Sequence, residues 1–242
     1  MALDKESALP LIMAGSVLVN GQIEYKASFK VKKTDNLAIK EKNPYVSRGA
    51  LKIKKAFDDF KIEIEGLKVL DIGISTGGFS DFVLKNGASI VMGVDVNINQ
   101  VDYNLKKNKN LVLLKKNARD IVKTDCEFEP ELIVMDLSFI SITKVIPVLK
   151  VFSKAKILSL IKPQFEAPKN KVGKGGIISS LEDRIDIVLS VKNRIENENF
   201  GIINFTKAGL KGQKGNQEYF FLIEYGKKSM NDDTIIAEMK NV

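Results

Sequence analysis

A glycine-rich turn followed downstream by an aspartate is the stretch of this sequence best suited to holding a ligand. The turn runs from Gly73 to Gly78, directly after the apolar segment KVLDI. Glycine lets a backbone bend sharply and approach a ligand closely. Asp95 ends the next apolar segment, 22 residues after Gly73, where a carboxylate can accept hydrogen bonds from both hydroxyls of a ribose. The pattern predicts a ligand that contains a nucleoside.

Ser75 narrows the choice of ligand. A dinucleotide-binding turn of the form G-x-G-x-x-G needs glycine at positions 73, 75 and 78, and position 75 is serine. A phosphate-binding P-loop needs a lysine after its glycines, but Phe79 and Ser80 follow instead. S-adenosylmethionine, which has a ribose and an adenine but no phosphate, fits this pattern. The residues expected to contact it are Gly73, Ser75, Thr76, Gly77, Gly78, Phe79, Asp95, Asn117, Ala118 and Asp136.

The residues expected at the adenine have two possible roles. Asn117 and the backbone of Ala118 follow the third predicted strand, in the segment NARD, and could meet the adenine edge. The same residues could equally form an ordinary polar loop.

Composition excludes several kinds of active site. The 242 residues include no histidine and one cysteine, Cys126, which rules out Ser-His-Asp triads, Cys-His pairs, histidine metal sites and an internal disulfide. A general base must therefore come from another side chain.

The net charge of +8 favours a polyanionic partner such as nucleic acid or an anionic membrane surface. No apolar run is long enough to span a membrane, and no leader-like segment opens the chain, so we expect a cytoplasmic protein.

Apolar strands alternate with helical segments from Lys68 onward, which predicts a mostly parallel sheet covered on both faces. The predicted strands are 68–72, 90–95, 111–114, 131–135 and 155–161, and the predicted helices are 47–60, 78–86, 97–107, 140–152 and 180–198. The segment 200–226 predicts an antiparallel hairpin at the sheet edge. A polar, basic loop is expected over 162–177. The fold class is therefore α/β, with a Rossmann-like sheet.

The first 42 residues look like a separate α+β module. A short helix in ESALPLIMAG precedes Asn20-Gly21, a strong hairpin signature, and a basic, strand-like segment follows over 26–40. This module could simply pack on the main domain, or it could bind RNA through its lysines. The expected domains are residues 1–42, 43–228 and a tail of 229–242.

Five segments, YVSRGALKI, VLDIGISTGGFSDFVLKNGA, VMDLSFIS, LIKPQFE and NQEYFFLI, together resemble the TlyA family. Its members were first called haemolysins and are regarded as ribosomal-RNA 2′-O-methyltransferases. The resemblance covers nearly the whole chain and implies an FtsJ-type methyltransferase domain that uses S-adenosylmethionine, with ribosomal RNA or ribosomal subunits as partners and no membrane. The segment LIMAGSVLVNGQ resembles the RNA-binding domain named after ribosomal protein S-four. Because the family has a further helix before that segment, we expect the module to be truncated.

The FtsJ-type pattern implies a catalytic tetrad of Lys52, Asp136, Lys162 and Glu218. Asp136 and Lys162 end apolar strands, at the edge of the sheet where ligands bind. On our hypothesis Lys162 lies nearest the target hydroxyl, while Asp136 and Glu218 orient the amines. Whether Lys162 removes the proton or only steers the hydroxyl stays open. The cations expected to contact RNA phosphates are Arg48, Lys55, Lys169, Lys171 and Lys174.

Three alternatives compete with this interpretation. The family's older name suggests a membrane-active protein, although the predicted helices are apolar on one side only, as core-packing helices are. A non-catalytic ribosome-assembly factor would keep the fold but have no need of all four tetrad residues. An NAD-dependent oxidoreductase is disfavoured by Ser75 and by the absence of histidine.

Overall fold

The computed structural model describes residues 4–39, 43–212 and 214–241. The chain divides into two compact units, residues 1–44 and 45–242. The domain boundary expected after residue 42 falls at residues 40–42, outside the described residues.

In its described residues, the first unit contains a helix and a small antiparallel sheet. Helix α1 (Lys5–Met13) begins at Asp4, whose carboxylate accepts the Ser7 N–H at 2.7 Å. Strand β1 (Val17–Val19) pairs with both β2 (Gln22–Ile23) and β3 (Leu37–Ile39). The predicted Asn20-Gly21 hairpin is confirmed, with both residues at positive φ. The strand expected over 26–40 was too long: of its described part, residues 26–39, the paired residues are Leu37–Ile39, and residue 40 lies outside the described residues.

The second unit is built on a seven-stranded sheet. Its strands are β4 (Lys68–Ile72), β5 (Ile90–Asp95), β6 (Leu111–Lys115), β7 (Leu132–Met135), β8 (Lys156–Ile161), β9 (Phe200–Lys207) and β10 (Tyr219–Tyr225). The order across the sheet is β6-β5-β4-β7-β8-β10-β9. Strands β4 to β8 pair in parallel, and β10 pairs antiparallel with both β8 and β9. The predicted parallel sheet with an antiparallel edge hairpin is therefore confirmed.

Two large apolar clusters cover the two faces of this sheet, as parallel strands require. Helix α2 (Gly49–Phe60) packs Ile53, Ala56 and Phe57 into one of these clusters. The remaining helices are α3 (Gly78–Lys85), α4 (Pro163–Glu166), α5 (Leu181–Glu196) and α6 (Asp232–Lys240). Within the described ranges, no helix is both long enough and apolar enough to cross a membrane.

Three sequence-based assignments were wrong in detail. The helices expected over 97–107 and 140–152 are short 3₁₀ helices instead. In the first segment the Asp102 carboxylate accepts the N–H groups of Asn104 and Leu105, and such side-chain bonds compete with helical ones. In the second, Pro147 lies in the middle of the segment, at the start of the 3₁₀ helix Ile146–Phe152, and its missing N–H interrupts a longer α-helix. The loop expected over 162–177 begins with helix α4, for which Pro163 is a favoured first residue.

Candidate active site

The glycine turn is shaped by tight packing between elements. Gly73 has φ +85°, and a Cβ there would lie 2.6 Å from the Asp136 carbonyl oxygen. A side chain on Gly78 would clash with the Ser47 hydroxyl at the start of α2. Ser75 takes a left-handed φ of +52°, and its N–H donates to Asp95 Oδ2 at 3.0 Å. The turn therefore draws β4, β7 and α2 together at the carboxyl end of the sheet.

Asp71, the penultimate residue of β4, carries a buried carboxylate beside this turn. Its Oδ2 accepts both the Ser80 hydroxyl at 2.6 Å and the Ser80 N–H at 3.0 Å. Its Oδ1 is buried and has no hydrogen-bond partner among the described residues. Burial raises the pKa of Asp71 from 3.8 to about 7, against the lowering effect of Ser80 and with the further help of the Asp136 charge. Such a perturbed acid in a cleft is typical of a functional site.

Lys162 and Asp136 form the first of two ion pairs in the cleft. Lys162 follows β8, Asp136 follows β7, and the Lys162 Nζ lies 2.6 Å from Asp136 Oδ1. Nζ also donates to the Ser138 hydroxyl at 2.9 Å. The Lys162 side chain is only 11% exposed and that of Asp136 24%, so solvent screens this pair weakly.

Lys52 and Glu218 form the second ion pair. Lys52 projects from α2 and Glu218 directly precedes β10, and the Lys52 Nζ lies 2.6 Å from Glu218 Oε2. The Glu218 side chain is 2% exposed. Gln164, on α4, donates its side-chain N–H to the other oxygen of Glu218, Oε1, at 3.2 Å. Helix α4 thus connects the second ion pair to the strand end that carries the first.

Glu166 fixes helix α4 to the loop after β7. Its buried carboxylate accepts the Ser141 hydroxyl at 2.5 Å and the Ile142 N–H at 3.0 Å. Burial raises the pKa of Glu166, although both hydrogen bonds act in the opposite direction. The rings of Phe139 and Phe165 meet across the same junction, with centroids 5.1 Å apart. These contacts hold the Asp136 loop and the Lys162 helix in one register.

One cavity of about 710 Å³ unites these groups, a size within the range of small-molecule sites, roughly 300–1,000 Å³. All four predicted tetrad residues line it: Lys52, Asp136, Lys162 and Glu218. Among the residues predicted to bind the cofactor, those that also line it are Gly73, Ser75, Thr76, Gly78, Phe79 and Asp136.

Other predicted residues lie outside the cavity wall, namely Gly77, Asp95, Asn117 and Ala118. The Asp95 carboxylate is occupied by the N–H groups of Ser75 and Asn97, so it supports the glycine turn in this structure. The Asn117 side chain accepts the Arg119 N–H at 3.1 Å and caps a 3₁₀ turn.

The cations predicted to contact RNA also differ in position. Arg48 lines the cavity. Lys55 is paired with Asp59 at 2.5 Å, and Lys171 is paired with Asp183 and Asp186. Lys169 and Lys174 are exposed and lie outside the wall.

Sequence reasoning missed several residues of the cavity wall, which are Asp71, Ser138, Phe139, Gln164, Phe165, Lys211, Lys214 and Asn216. An acid inside an apolar strand could have indicated Asp71. Phe139 looks like a core residue in sequence, yet it is 91% exposed and has a left-handed φ of +65°. An exposed aromatic ring on a strained backbone at the rim of a cavity indicates a functional position.

The residues present fit S-adenosylmethionine. Gly73 and Gly78 leave two positions of the cavity wall without a side chain, and the Asp71 Oδ1, which has no partner among the described residues, offers a buried acceptor for a cationic or hydrogen-bonding ligand. Among these wall residues, the turn residues and Asp71 would hold such a ligand, and the two ion pairs lie beside them.

Comparison with known proteins points the same way. The FtsJ-like methyltransferase family model matches residues 45–225. "Hemolysin A" of Brachyspira hyodysenteriae is 42% identical over 89% of this chain and 91% of its own. The 16S/23S rRNA (cytidine-2′-O)-methyltransferase TlyA of Mycobacterium tuberculosis is 35% identical over 91% of this chain and 84% of its own.

Solved structures agree with these sequence matches. A Lactococcus lactis protein, provisionally named a hemolysin, is 34% identical and superposes with a TM-score of 0.77 over 83% of this chain and all of its own. A SAM-dependent methyltransferase from Aquifex aeolicus, 19% identical, superposes with a TM-score of 0.52 over 75% of this chain and 93% of its own, which shows a shared fold.

Proposed function

Because the chain belongs to the FtsJ-like methyltransferase family and matches the TlyA proteins over most of its length, we propose that it methylates ribosomal RNA. The substrate group is the 2′-hydroxyl of a ribose, and the methyl donor is S-adenosylmethionine. The observation that carries this proposal is the convergence of two lysine–carboxylate pairs on the cavity that the glycine turn lines.

S-adenosylmethionine supplies, when bound, a methyl group on a positively charged sulfur, which needs little further activation. The protein must therefore align the target oxygen and free its lone pair. Lys162 is the group proposed to meet the 2′-hydroxyl. As an amine it takes the hydroxyl proton, and as an ammonium it steers the oxygen. Asp136 and Ser138 hold the Lys162 nitrogen from one side, at 2.6 and 2.9 Å, so its direction is set before substrate arrives.

The second ion pair, Lys52 with Glu218, is proposed to stabilise the same ribose oxygen, since it lines the same cavity. Lys52 is held by Glu218, which is nearly inaccessible to water. A cation fixed there offsets negative charge that develops on the ribose oxygen as its proton leaves. Glu218 keeps the ammonium in place and limits the net charge of the cleft.

The donor is proposed to lie over β4 and β5. The glycine turn and Asp71 would hold its methionine end, and Asp95 would bind the ribose hydroxyls, with Asn117 and Ala118 at the adenine. Asp95 would exchange or share its present bonds to Ser75 and Asn97.

RNA is proposed to approach across the open mouth of the cavity. Arg48, Lys211 and Lys214 line that cavity and would contact phosphates, with Lys55, Lys169, Lys171 and Lys174 on the surrounding surface. Phe139 offers an exposed ring on which a base can stack. The module of residues 1–42 is proposed to add RNA contacts to those of the domain 43–228. Its relatives' names favour a cytidine as the nucleoside modified.

The direct test is transfer of a radiolabelled methyl group from S-adenosylmethionine to purified small and large ribosomal subunits. Label in the RNA of either subunit, lost on RNase treatment and kept on protease treatment, supports the proposal. Label in protein alone, or in neither, refutes it.

A further inference from the structure

We propose that Gln164 selects the base of the target nucleotide: its side-chain oxygen accepts a hydrogen bond from an exocyclic amine. This inference rests on the proposed function. It concerns a residue that lies between the two ion pairs of the cleft and belongs to neither.

The direction of the Gln164 amide is set by its neighbour. The Nε2 group donates to Glu218 Oε1 at 3.2 Å, while Glu218 Oε2 meets the Lys52 ammonium at 2.6 Å. An ionised carboxylate can only accept hydrogen bonds. Turning the amide over would place its oxygen against a carboxylate oxygen, so the amine end must face Glu218 and the oxygen must face elsewhere.

The Gln164 oxygen is an acceptor without a donor. Oε1 is buried and has no hydrogen-bond partner among the residues that the structure describes, and Gln164 lines the cavity. A buried polar atom left unpaired costs free energy, so such atoms are rare in native structures and each calls for a specific explanation. A molecule bound in the cavity would supply the missing hydrogen-bond donor to this oxygen.

Strand order separates this oxygen from the methyl-donor end. The glycine turn follows β4, whereas Gln164 follows β8 and contacts the residue before β10, and β7 lies between β4 and β8. Neighbouring strands are about 4.8 Å apart, so the two places differ by two strand spacings, roughly 10 Å. The donor that Gln164 meets therefore belongs to the nucleotide.

The same order distinguishes the parts of the nucleotide. Lys162 turns toward β7, to Asp136 and Ser138, while Gln164 turns toward β10, to Glu218. The reacting hydroxyl lies with Lys162, and the 3′-oxygen of a nucleotide within a chain carries no proton. The remaining donor is on the base. An amide oxygen accepts from an amino group, as in cytosine, and repels the carbonyl oxygen that replaces it in uracil.

Helix α4 keeps this oxygen in a fixed position. Lys162 and Glu166 lie two residues before and two residues after Gln164. Both bond to the loop after β7, Lys162 through its ion pair and Glu166 through its two hydrogen bonds. A rigid acceptor discriminates better than a mobile one, because it cannot move away from a wrong base.

The test compares Gln164→Met, similar in size but without the amide, with Gln217→Met as the matched control. Gln217 donates to the backbone oxygens of Ala208 and Glu218 and is not among the described residues that line the cavity. Each enzyme is assayed with ribosomal subunits that carry the mapped target nucleotide or a uridine in its place. The affinity for S-adenosylmethionine is measured by calorimetry.

We expect the wild type and Gln217→Met to prefer the amino-bearing target at least tenfold in kcat/KM. Gln164→Met should reduce that preference to threefold or less, with its S-adenosylmethionine affinity within twofold of wild type. A structural role alone would lower activity on both targets equally and keep the preference. Any one of three outcomes would overturn the inference: an equal loss on both targets in Gln164→Met, a uridine at the mapped target, or no preference in the wild type. Absence of methyl transfer by the wild type would instead contradict the proposed function itself.

Discussion

The Lys162 nitrogen lies 2.6 Å from a carboxylate oxygen of Asp136, at the ends of two adjacent parallel strands. This distance depends on both strands, because each side chain follows a different strand of the sheet. The parallel pairing of β7 with β8 brings the two strand ends to one edge, and the bond from Lys162 to Ser138 prevents the ammonium from leaving the cleft. The pair is thus held by the sheet itself.

Replacing Lys162 by methionine should abolish methyl transfer, with a loss of at least a thousandfold in kcat, because no other amine among the described residues meets both Asp136 and Ser138. Binding of S-adenosylmethionine should stay within threefold of wild type, as measured by calorimetry. Lys150→Met is the control, since Lys150 forms an equally short ion pair with Glu198 on the surface. A Lys162→Met enzyme that retains a tenth of wild-type activity would remove Lys162 from the mechanism.

The Lys52–Glu218 pair should behave as a buried ion pair. Glu218→Gln leaves the Lys52 charge uncompensated and should lower the free energy of unfolding by about 3 kcal/mol. Adding Lys52→Met should restore at least about 1 kcal/mol, because the uncompensated Lys52 charge is then removed, while activity stays lost. Urea denaturation measures both. The exposed pair Lys54–Asp58 provides the comparison, with a loss below about 1 kcal/mol for Asp58→Asn. A double mutant less stable than Glu218→Gln would contradict this account.

Asp71 should make stability depend on pH. Its pKa is about 7 in the folded protein and 3.8 as a free side chain, so the folded state holds the proton more tightly. The wild type therefore loses stability as pH rises from about 4 to 7, and the loss is complete above 7. Asp71→Asn can keep both bonds to Ser80 and carries no charge. Its stability relative to wild type should rise by about 3 kcal/mol between pH 5 and pH 8.5 in urea titrations, since two pH units separate pH 5 from the folded pKa. An unchanged difference would show that Asp71 is not protonated at pH 5.

Glu166 should affect activity without touching the substrate. Glu166→Ala leaves the Ser141 hydroxyl and the Ile142 N–H unpaired, at a cost of about 2 kcal/mol in folding free energy, and should lower kcat at least tenfold by releasing α4 from the β7 loop. Glu166→Gln keeps an acceptor for one of the two bonds and should recover part of both losses. Steady-state kinetics beside thermal unfolding would check this. Full activity in the alanine variant would show that the loop is held by other contacts.

The lysines of the β9–β10 turn should contribute to RNA affinity through charge. Changing Lys211 and Lys214 to alanine should weaken subunit binding and flatten the slope of log affinity against log salt by about 1.5. Lys150 and Lys156 serve as a matched pair of exposed lysines away from the cavity, and their double alanine variant should leave the slope within about 0.5. Equal effects from both double variants would mean that RNA does not approach across this mouth.

Much of this arrangement could be predicted from the sequence, because each strand is a run of apolar residues whose last member can be read from the sequence. The ends of β4, β7 and β8 were located to within a residue, and in a parallel sheet such ends share one edge. Asp136 and Lys162 could therefore be placed together without coordinates. Lys52 and Glu218 required the family resemblance, since a helix flank and a turn do not by themselves point to a cleft.

The rest depends on contacts between distant segments, which a single sequence does not encode locally. Gln164 meets Glu218 across 54 residues, and only the closing of the sheet edge by β10 brings them together. Asp95 was predicted to face a ribose, but its carboxylate holds the Ser75 N–H, because a left-handed turn leaves that donor pointing at it. The 3₁₀ turns in 97–107 arise where side-chain hydrogen bonds of Asp102 compete with the helix pattern, whereas Pro147 interrupts the pattern in 140–152.

The central claim is that this cleft delivers a methyl group to a ribose oxygen. The most direct test is to digest ribosomal RNA from enzyme-treated subunits to nucleosides and to locate the new methyl group by mass spectrometry. The account predicts a single 2′-O-methylated nucleoside that appears with the wild type and is absent with Lys162→Met. A methyl group on a base, or an equal yield from the Lys162 variant, would contradict it.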